Sequence, residues 1–390
     1  MEYLLSVIIP TRNRQKYAFN AVKKIIREFG DKIEVVIQDN SDNLELKQML
    51  LDDNLSTEEI KYYHSYEDLS FVENFSRAIE NSTGSYLCII GDDDCVIPDI
   101  LAVVRWARDN GIQAIKPCLT VSYVWPDSGF DKNEGSLSIL PFSLKFKYVN
   151  PRNELKKLAR NGFQDYLSYD IVKLYHGIVS RDKLNEIREK TGKYVGGLTP
   201  DIYMAVSLSL VIDKMLCLDY PLTLPGVCKA SGSADSVTGK HKGDLSKAPH
   251  FKGHTEYEWA EEVPLFYSVE TIWADSALAA IRDLDDNVMY ASFCIEWLLA
   301  YCWLLHKDYA DEIKRIIKKN KVSFIKVKYL SRKIQGKTIL KKIKYKIKFK
   351  YRKVFTNVPT IADAVDIFKK NATKQSSFLN NILEKGKTNL

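Results

Sequence analysis

Three successive carboxylates, Asp92, Asp93 and Asp94, follow the apolar run Tyr86-Leu87-Cys88-Ile89-Ile90 after a single glycine, Gly91. Neighbouring aspartates repel one another. A chain that sets them at the mouth of a buried strand therefore either solvates them fully or neutralises them with a divalent cation. Mn or Mg holding a nucleotide diphosphate is the chemistry that would use such a cluster; an acidic turn is the plain alternative. The elements that bring other residues to the same place bear on the choice.

The N-terminal run Leu4-Leu5-Ser6-Val7-Ile8-Ile9, closed by Pro10-Thr11-Arg12-Asn13-Arg14, reads as a strand covered on both faces. Ala18, Ala21, Val22, Ile25, Ile26 and Phe29 then recur at helical spacing, and Gly30 supplies a stop. A second strand, Ile33-Glu34-Val35-Val36-Ile37, ends in Gln38-Asp39-Asn40-Ser41-Asp42. Strand, helix and strand with short connections make a right-handed βαβ unit. The pattern repeats with a strand near Ile60-Lys61-Tyr62-Tyr63 and a helix opened by the capping box Ser70-Phe71-Val72-Glu73. Phe71, Phe75, Ala78 and Ile79 are expected on its sheet-facing side. In open parallel sheets ligands sit beyond the carboxyl ends of the strands, where Thr11, Asn13, Asp39 and Asp92 to Asp94 all fall.

Three segments in order, Ser6 to Arg14, Val35 to Asp42, and Gly84-Ser85-Tyr86 leading to Gly91-Asp92-Asp93-Asp94 with Pro98-Asp99, resemble the family-2 glycosyltransferases of GT-A fold. The likeness is specific to about residue 105 and looser to about residue 235. It implies an α/β fold, a Rossmann-like and mainly parallel sheet flanked by helices. It also implies metal-dependent, inverting transfer of a sugar from a nucleotide diphosphate, UDP above all, to a hydroxyl of a glycan or lipid-linked glycan. Surface polysaccharide or O-antigen assembly is the implied setting. By this resemblance Pro10, Thr11, Asn13 and Asp39 line the nucleotide pocket, with Asp39 accepting the uracil imide proton, and Asp93 binds the metal. Gly91 stands where many members carry an aspartate, so Asp92 is assigned to ribose or metal-bound water, with direct metal ligation as its second role. Asx turns at Asp39 and Asn13 are the structural alternative; Asn74 and Arg77 remain outside the assigned site.

An inverting transfer needs a base on the face opposite the leaving group. Gly196-Gly197-Leu198-Thr199-Pro200-Asp201-Ile202-Tyr203 supplies a candidate. Thr199 as N-cap and Pro200 as first helical residue place Asp201 in a first turn, where a carboxylate also favours the macrodipole. The family places its acceptor-activating aspartate at such a helix start, which makes Asp201 the expected base. Tyr175-His176-Gly177 is read as an edge lining the acceptor. His241, His250 and His254 fall in a stretch rich in Gly, Ser and Lys, and by the same resemblance His250 or His254 would join the metal from a loop closing over the donor. No zinc-type spacing of Cys and His occurs.

Seven cysteines without a Cys-x-x-Cys pair suit free thiols in a reducing compartment, and no signal peptide is evident; a cytoplasmic enzyme is expected. Tyr290 to Leu305 is too short for a membrane span, is broken by Glu296, and reads as an amphipathic helix. Residues 314 to 353 hold eighteen Lys and Arg and no Asp or Glu, so the net +7 conceals a remainder of −11. Within them and at the residue after, Leu340, Ile343, Ile347, Tyr351 and Val354 can form a helical stripe, while Ile343 to Tyr351 also alternates as a strand would. An anionic membrane surface, on the inner face of the cell membrane, is the expected partner, ahead of a solvated extension and of nucleic acid. Ile361, Ala364, Val365 and Phe368 form a short helical pattern before a polar, frayed end.

The expected organisation is a catalytic domain over 1–235, a mobile active-site loop over 236–260, a helical extension packed on the domain over 261–312, and a basic C-terminal region over 313–390. A nucleotidyltransferase acting on sugar phosphates is an alternative, weakened because Pro10 to Arg14 lacks the glycine-rich triphosphate loop. An inactive, transferase-like binding protein recruited by its basic tail is another.

Overall fold

The structure, a computed structural model, describes residues 3–55, 60–129, 134–229, 242–245, 251 and 257–385. The chain runs β1 (Leu5–Thr11), α1 (Gln15–Phe29), β2 (Glu34–Asp39), α2 (Glu45–Asp52), β3 (Ile60–His64), α3 (Phe71–Glu80) and β4 (Tyr86–Ile89). It continues as β5 (Cys95–Val96), α4 (Ile100–Asp109), β6 (Ala114–Pro117), β7 (Val121–Val124), β8 (Ser136–Ile139), β9 (Phe146–Val149) and α5 (Pro151–Arg160). β10 (Ile178–Ser180), α6 (Arg181–Thr191), α7 (Pro200–Val211) and β11 (Met215–Leu218) complete the part that builds the main sheet.

That sheet has eight strands in the order β3-β2-β1-β4-β10-β6-β11-β9. β1 pairs in parallel with β2 and β4, and β2 with β3. β10 enters antiparallel between β4 and β6, and β9 closes the edge antiparallel to β11. The expected α/β architecture holds: a parallel-rich sheet flanked by helices, with a helical C-terminal region.

The apolar strands divide their side chains by alternation. Ile8, Val36, Leu87 and Ile89 enter one core, beneath α3, α5 to α7 and the later helices; Val7, Ile9, Val35, Ile37 and Cys88 enter the other, beneath α1 and α4. α1 buries the apolar positions expected of it. α3 has the expected capping box, Ser70 Oγ accepting from the Glu73 amide and Glu73 from that of Ser70. Its phase differs, however: Val72, Asn74, Ala78 and Ile79 are buried and Phe71 is exposed. The N-cap geometry turns Phe71, the first helical residue, to solvent and gives its place to Val72.

After β11, helices Val269–Asp283, Ile295–Leu305 and Ala310–Lys319 add to the first core. The expected amphipathic segment begins at Ile295, later than its spacing indicated, and buries Leu298, Leu299, Ala300 and Cys302. The basic stretch is mostly one helix, Phe324–Phe349, which settles the choice between helix and strand; Tyr351 lies outside it. Val354 lies in the strand Lys353–Thr356, paired antiparallel with β8. The C-terminal pattern extends into a long helix, Ile361–Lys385, whose Ile361, Ala364, Val365, Phe368 and Ala372 complete the second core. Lys24 to Asp366 at 2.6 Å and Ser376 Oγ to Asp99 at 2.5 Å fasten it to α1 and to the residue preceding α4.

Candidate active site

The carboxyl ends of β1, β2 and β4 lie side by side: Thr11 is in register with Asp39, and Ile8 with Ile89. Beyond β4 the chain turns tightly, with the Asp94 amide donating to the Gly91 carbonyl at 3.2 Å and the Gly91 amide to Asp94 Oδ2 at 2.7 Å. A Cβ at Gly91 would stand 2.7 Å from the Tyr175 hydroxyl and 2.9 Å from Asp94 Oδ2, so this turn has no room for an aspartate there without movement. All three carboxylates are buried.

They differ in what satisfies them. Asp92 accepts from Thr11 Oγ1 at 2.7 Å and from Arg14 at 2.9 Å. Asp94 accepts from the Gly91 and Gly226 amides, each at 2.7 Å, and from the Tyr175 hydroxyl at 3.0 Å, with His176 Nε2 at 3.2 Å. Burial works against its charge, but His176 and the amides outweigh it and hold the carboxyl below its ordinary range. Asp93 has less: the Cys228 amide at 3.3 Å from Oδ2 and Arg14 at 3.7 Å from Oδ1. Burial, then the charges of Asp94 and Asp92, push it up to about 7. The Asp93 main chain is nonetheless clamped, its carbonyl accepting from Trp125 Nε1 at 3.0 Å.

This donor set fits Mg or Mn. Asp93 offers hard carboxylate oxygens, buried beside two further carboxylates and short of hydrogen-bond donors. Among the described residues no three His, Cys, Asp or Glu form a ready-made metal cluster. Such ions are characteristically held by one or two carboxylates together with substrate phosphate oxygens.

Asp201 lies in the first turn of α7, with Thr199 at the N-cap and Pro200 opening the helix as expected. The Thr199 hydroxyl caps nothing; Ser276 Oγ instead accepts from the Leu198 and Thr199 amides at 3.0 and 3.1 Å. The Asp201 carboxylate is partly buried, and burial pushes it up to about 6 against the pull of His176 and Lys173. Lys173 in turn is pushed down to about 7 by burial and by Lys116. A half-buried carboxylate with a raised pKa is suited to take a proton near neutral pH.

The structure thus brings Thr11, Asp92, Asp93 and Asp94 into one cluster, and the charges of His176 and Asp94 act on Asp201. Pro10 is buried within β1. Asp39 is buried and accepts from the Ser41 amide at 2.8 Å and the Tyr62 hydroxyl at 2.6 Å. Asn13, at φ 55°, exchanges hydrogen bonds with Asp42. Asp39 therefore makes the Asx turn that was its structural alternative, whereas Asn13 makes no such local turn and instead ties the end of β1 to the loop after β2. Arg77 pairs with Glu67, and Asn74 is buried with its side-chain carbonyl unpaired. His241, His250 and His254 lie outside the described residues. His176 and Tyr175 brace Asp94. Arg14, Trp125, Gly226 and Cys228 belong to the cluster without having been assigned to it; the last three lie 31 or more residues away in sequence, and no local pattern marks them.

The family model described as Glycosyl transferase family 2 matches residues 6–159. The match covers β1 through α5 with the Asp92 to Asp94 turn, and assigns those residues to a glycosyltransferase domain. No curated protein matches the chain. Among solved structures, S. aureus TarS 1-349 in complex with UDP-GlcNAc is similar at 12% identity and a TM-score of 0.46, over 83% of this chain and 93% of that one. The same TarS piece with UDP is similar at 15% identity and a TM-score of 0.40, over 58% of this chain and 61% of that one. The mannosyltransferase PcManGT from Pyrobaculum calidifontis, in complex with GDP-Man and Mn2+, is similar at 14% identity and a TM-score of 0.41, over 96% of this chain and 88% of that one.

Proposed function

We propose that this glycosyltransferase domain makes the chain a metal-dependent, inverting enzyme that moves a sugar from a nucleotide diphosphate, UDP in the first instance, to a hydroxyl of a glycan or lipid-linked glycan. The observation that carries the reading is the Gly91 to Asp94 turn at the end of β4. There Asp92 and Asp94 are satisfied internally and Asp93 is the carboxylate short of partners. Asp93, with Asp92 beside it, would hold Mn or Mg, which when bound would neutralise charge on the diphosphate oxygens. Arg14 adds a fixed positive charge on the same side.

On the opposite side Asp201 accepts the proton of the acceptor hydroxyl. The oxygen so released attacks the anomeric carbon from the face away from the diphosphate, and the bond to the leaving oxygen breaks with its electron pair going to the phosphate. Attack from the opposite face inverts the anomeric centre. The setting proposed is surface polysaccharide or O-antigen assembly in the cytoplasm at the inner face of the cell membrane, where the basic stretch 314–353 would meet anionic lipid. The organisation proposed is the catalytic domain over 1–235, the active-site loop over 236–260, the helical extension over 261–312 and the basic region from 313 onward.

Calorimetric titration of UDP, GDP and CDP, with and without Mn, against the wild type and Asp93→Ala tests the reading. UDP binding that requires Mn and is lost in Asp93→Ala is the expected result. Folded wild-type protein that binds no nucleotide would overturn it.

A further inference from the structure

The helix Phe324–Phe349 has two apolar faces. One is covered: Val327, Leu330, Ser331 and Ile334 are buried, and Ser331 Oγ donates to the Ala300 carbonyl at 3.0 Å. At about 100° per residue, the stripe opposite that face is formed by Ile325, Tyr329, Leu340, Ile343 and Ile347. Each is at least half exposed, from 50% at Ile343 to 82% at Ile325. The stripe runs for about 33 Å along the helix, with Gly336 within it. Lys337, Lys344 and Lys348 line one side, Lys342 and Lys346 the other, and no acidic residue falls between 314 and 353.

A long apolar stripe held open to solvent between two rows of lysines matches a surface that is anionic at one level and apolar just beneath it. A lipid headgroup layer over acyl chains is such a surface. A nucleic acid would engage the lysines and leave the isoleucines unused. No helix of the described residues is long and apolar enough to cross a membrane, so the helix would lie in the interface plane.

The rest of the protein meets this half of the helix on the side away from the stripe. Lys341 pairs with Asp165 and donates to Ser168 Oγ at 3.1 Å. The short helix between them, Tyr166–Ser168, presents Leu167 to solvent, and the Leu167 carbonyl accepts from Lys173 at 3.4 Å. Lys173 is one of the charges that act on Asp201. Lys341, by the same spacing of about 100° per residue, projects beside the covered face, so these contacts leave the outer stripe open.

Resting on the proposed transfer reaction, we infer that the outer stripe of helix Phe324–Phe349 seats on an anionic bilayer through Ile325, Tyr329, Leu340, Ile343 and Ile347, holding the enzyme at the surface where a lipid-linked acceptor lies. A soluble acceptor would need no such placement.

Flotation of the full chain with phosphatidylcholine vesicles, and with vesicles containing roughly 30 mol% phosphatidylglycerol, tests this. The protein is expected to float with the anionic vesicles and stay behind with the neutral ones. Ile343→Asp/Ile347→Asp, at exposed positions that leave the fold intact, should lower the bound fraction about tenfold or more. Calorimetric UDP binding by that variant should stay at the wild-type value, separating failure of this inference from failure of the donor-site reading. An environment-sensitive label on Leu340→Cys, within the stripe, should blue-shift on anionic vesicles. The same label on Tyr66→Cys, beyond β3 at the far edge of the sheet, should not. Flotation unchanged by the two aspartates, equal flotation with neutral vesicles, equal response of the two labels, or capture by duplex DNA without flotation would each overturn the inference.

Discussion

Replacing Asp201 with asparagine separates catalysis from stability in a way the structure makes quantitative. In the folded protein the carboxyl is pushed from 3.8 up to about 6 by burial, against the opposing charges of His176 and Lys173. Between those two values the folded state holds more protons than the unfolded one, so stability rises as the pH falls from about 6 toward 3.8, and above about 6 the full cost of the buried charge is present. That cost has a ceiling of ~3 kcal/mol. Partial exposure reduces it, and asparagine forfeits the carboxylate's interaction with the helix N-terminus, worth about 0.3–1 kcal/mol. Asp201→Asn is therefore expected to gain about 1–2 kcal/mol at neutral pH while losing a factor of roughly 10² to 10⁴ in turnover. Urea denaturation at pH 7.5 and pH 5 should show the gain at the higher pH and its shrinkage at the lower one. UDP release from a UDP-sugar should show the loss, with calorimetric donor affinity held. In the wild type the acidic limb of the rate profile should fall near pH 6, where an ordinary aspartate would place it near 4. A variant that is less stable at pH 7.5 than the wild type, or that turns over normally, would refute the reasoning: the first outcome makes Asp201 a structural partner, the second removes it as the base.

Other perturbations follow from the same geometry. A Cβ at Gly226 would lie 1.8 Å from the Asp93 carbonyl oxygen, so Gly226→Ala must displace the Gly91 to Asp94 turn; a loss of about 1–3 kcal/mol in thermal unfolding with weakened Mn-dependent UDP binding is expected. Ser276→Ala strands the amides of Leu198 and Thr199, at about 1–3 kcal/mol, and should lower turnover by loosening the start of α7 while donor affinity stays unchanged. Tyr175→Phe removes one donor to Asp94 and should destabilise the protein by roughly 1.5–3 kcal/mol, as for other hydrogen bonds to charged groups, measured by chemical denaturation.

The parallel half of the fold was legible because its signals are local. Continuous aliphatic runs, the 3.6-residue recurrence in α1, the capping box at Ser70 and the Thr199-Pro200 start are set by backbone periodicity and the chemistry of helix ends. They act within a few residues, so sequence alone places the Asp92 to Asp94 turn at a strand end and Asp201 at a helix start. The alternation from Ile343 to Tyr351 was ambiguous for a physical reason. That helix buries one apolar stripe in its first half and exposes another on the opposite side along its length, so no single amphipathic period describes it.

Tertiary structure alone decided which of three adjacent aspartates is left short of partners. Asp94 is satisfied by Tyr175, His176 and Gly226, up to 132 residues away in sequence; Asp92 is satisfied by Thr11 and Arg14, and Asp93 keeps the weakest set. Sequence gives the three the same chemistry; burial and the donors that reach each one set them apart. The same holds for the C-terminus, where Ile361–Lys385 looks like a short helix before a frayed end and instead closes the second core through Phe368, Ala372 and the Lys24–Asp366 pair. Whether an apolar stripe is covered depends on what folds back against it, and no stretch of chain carries that information within itself.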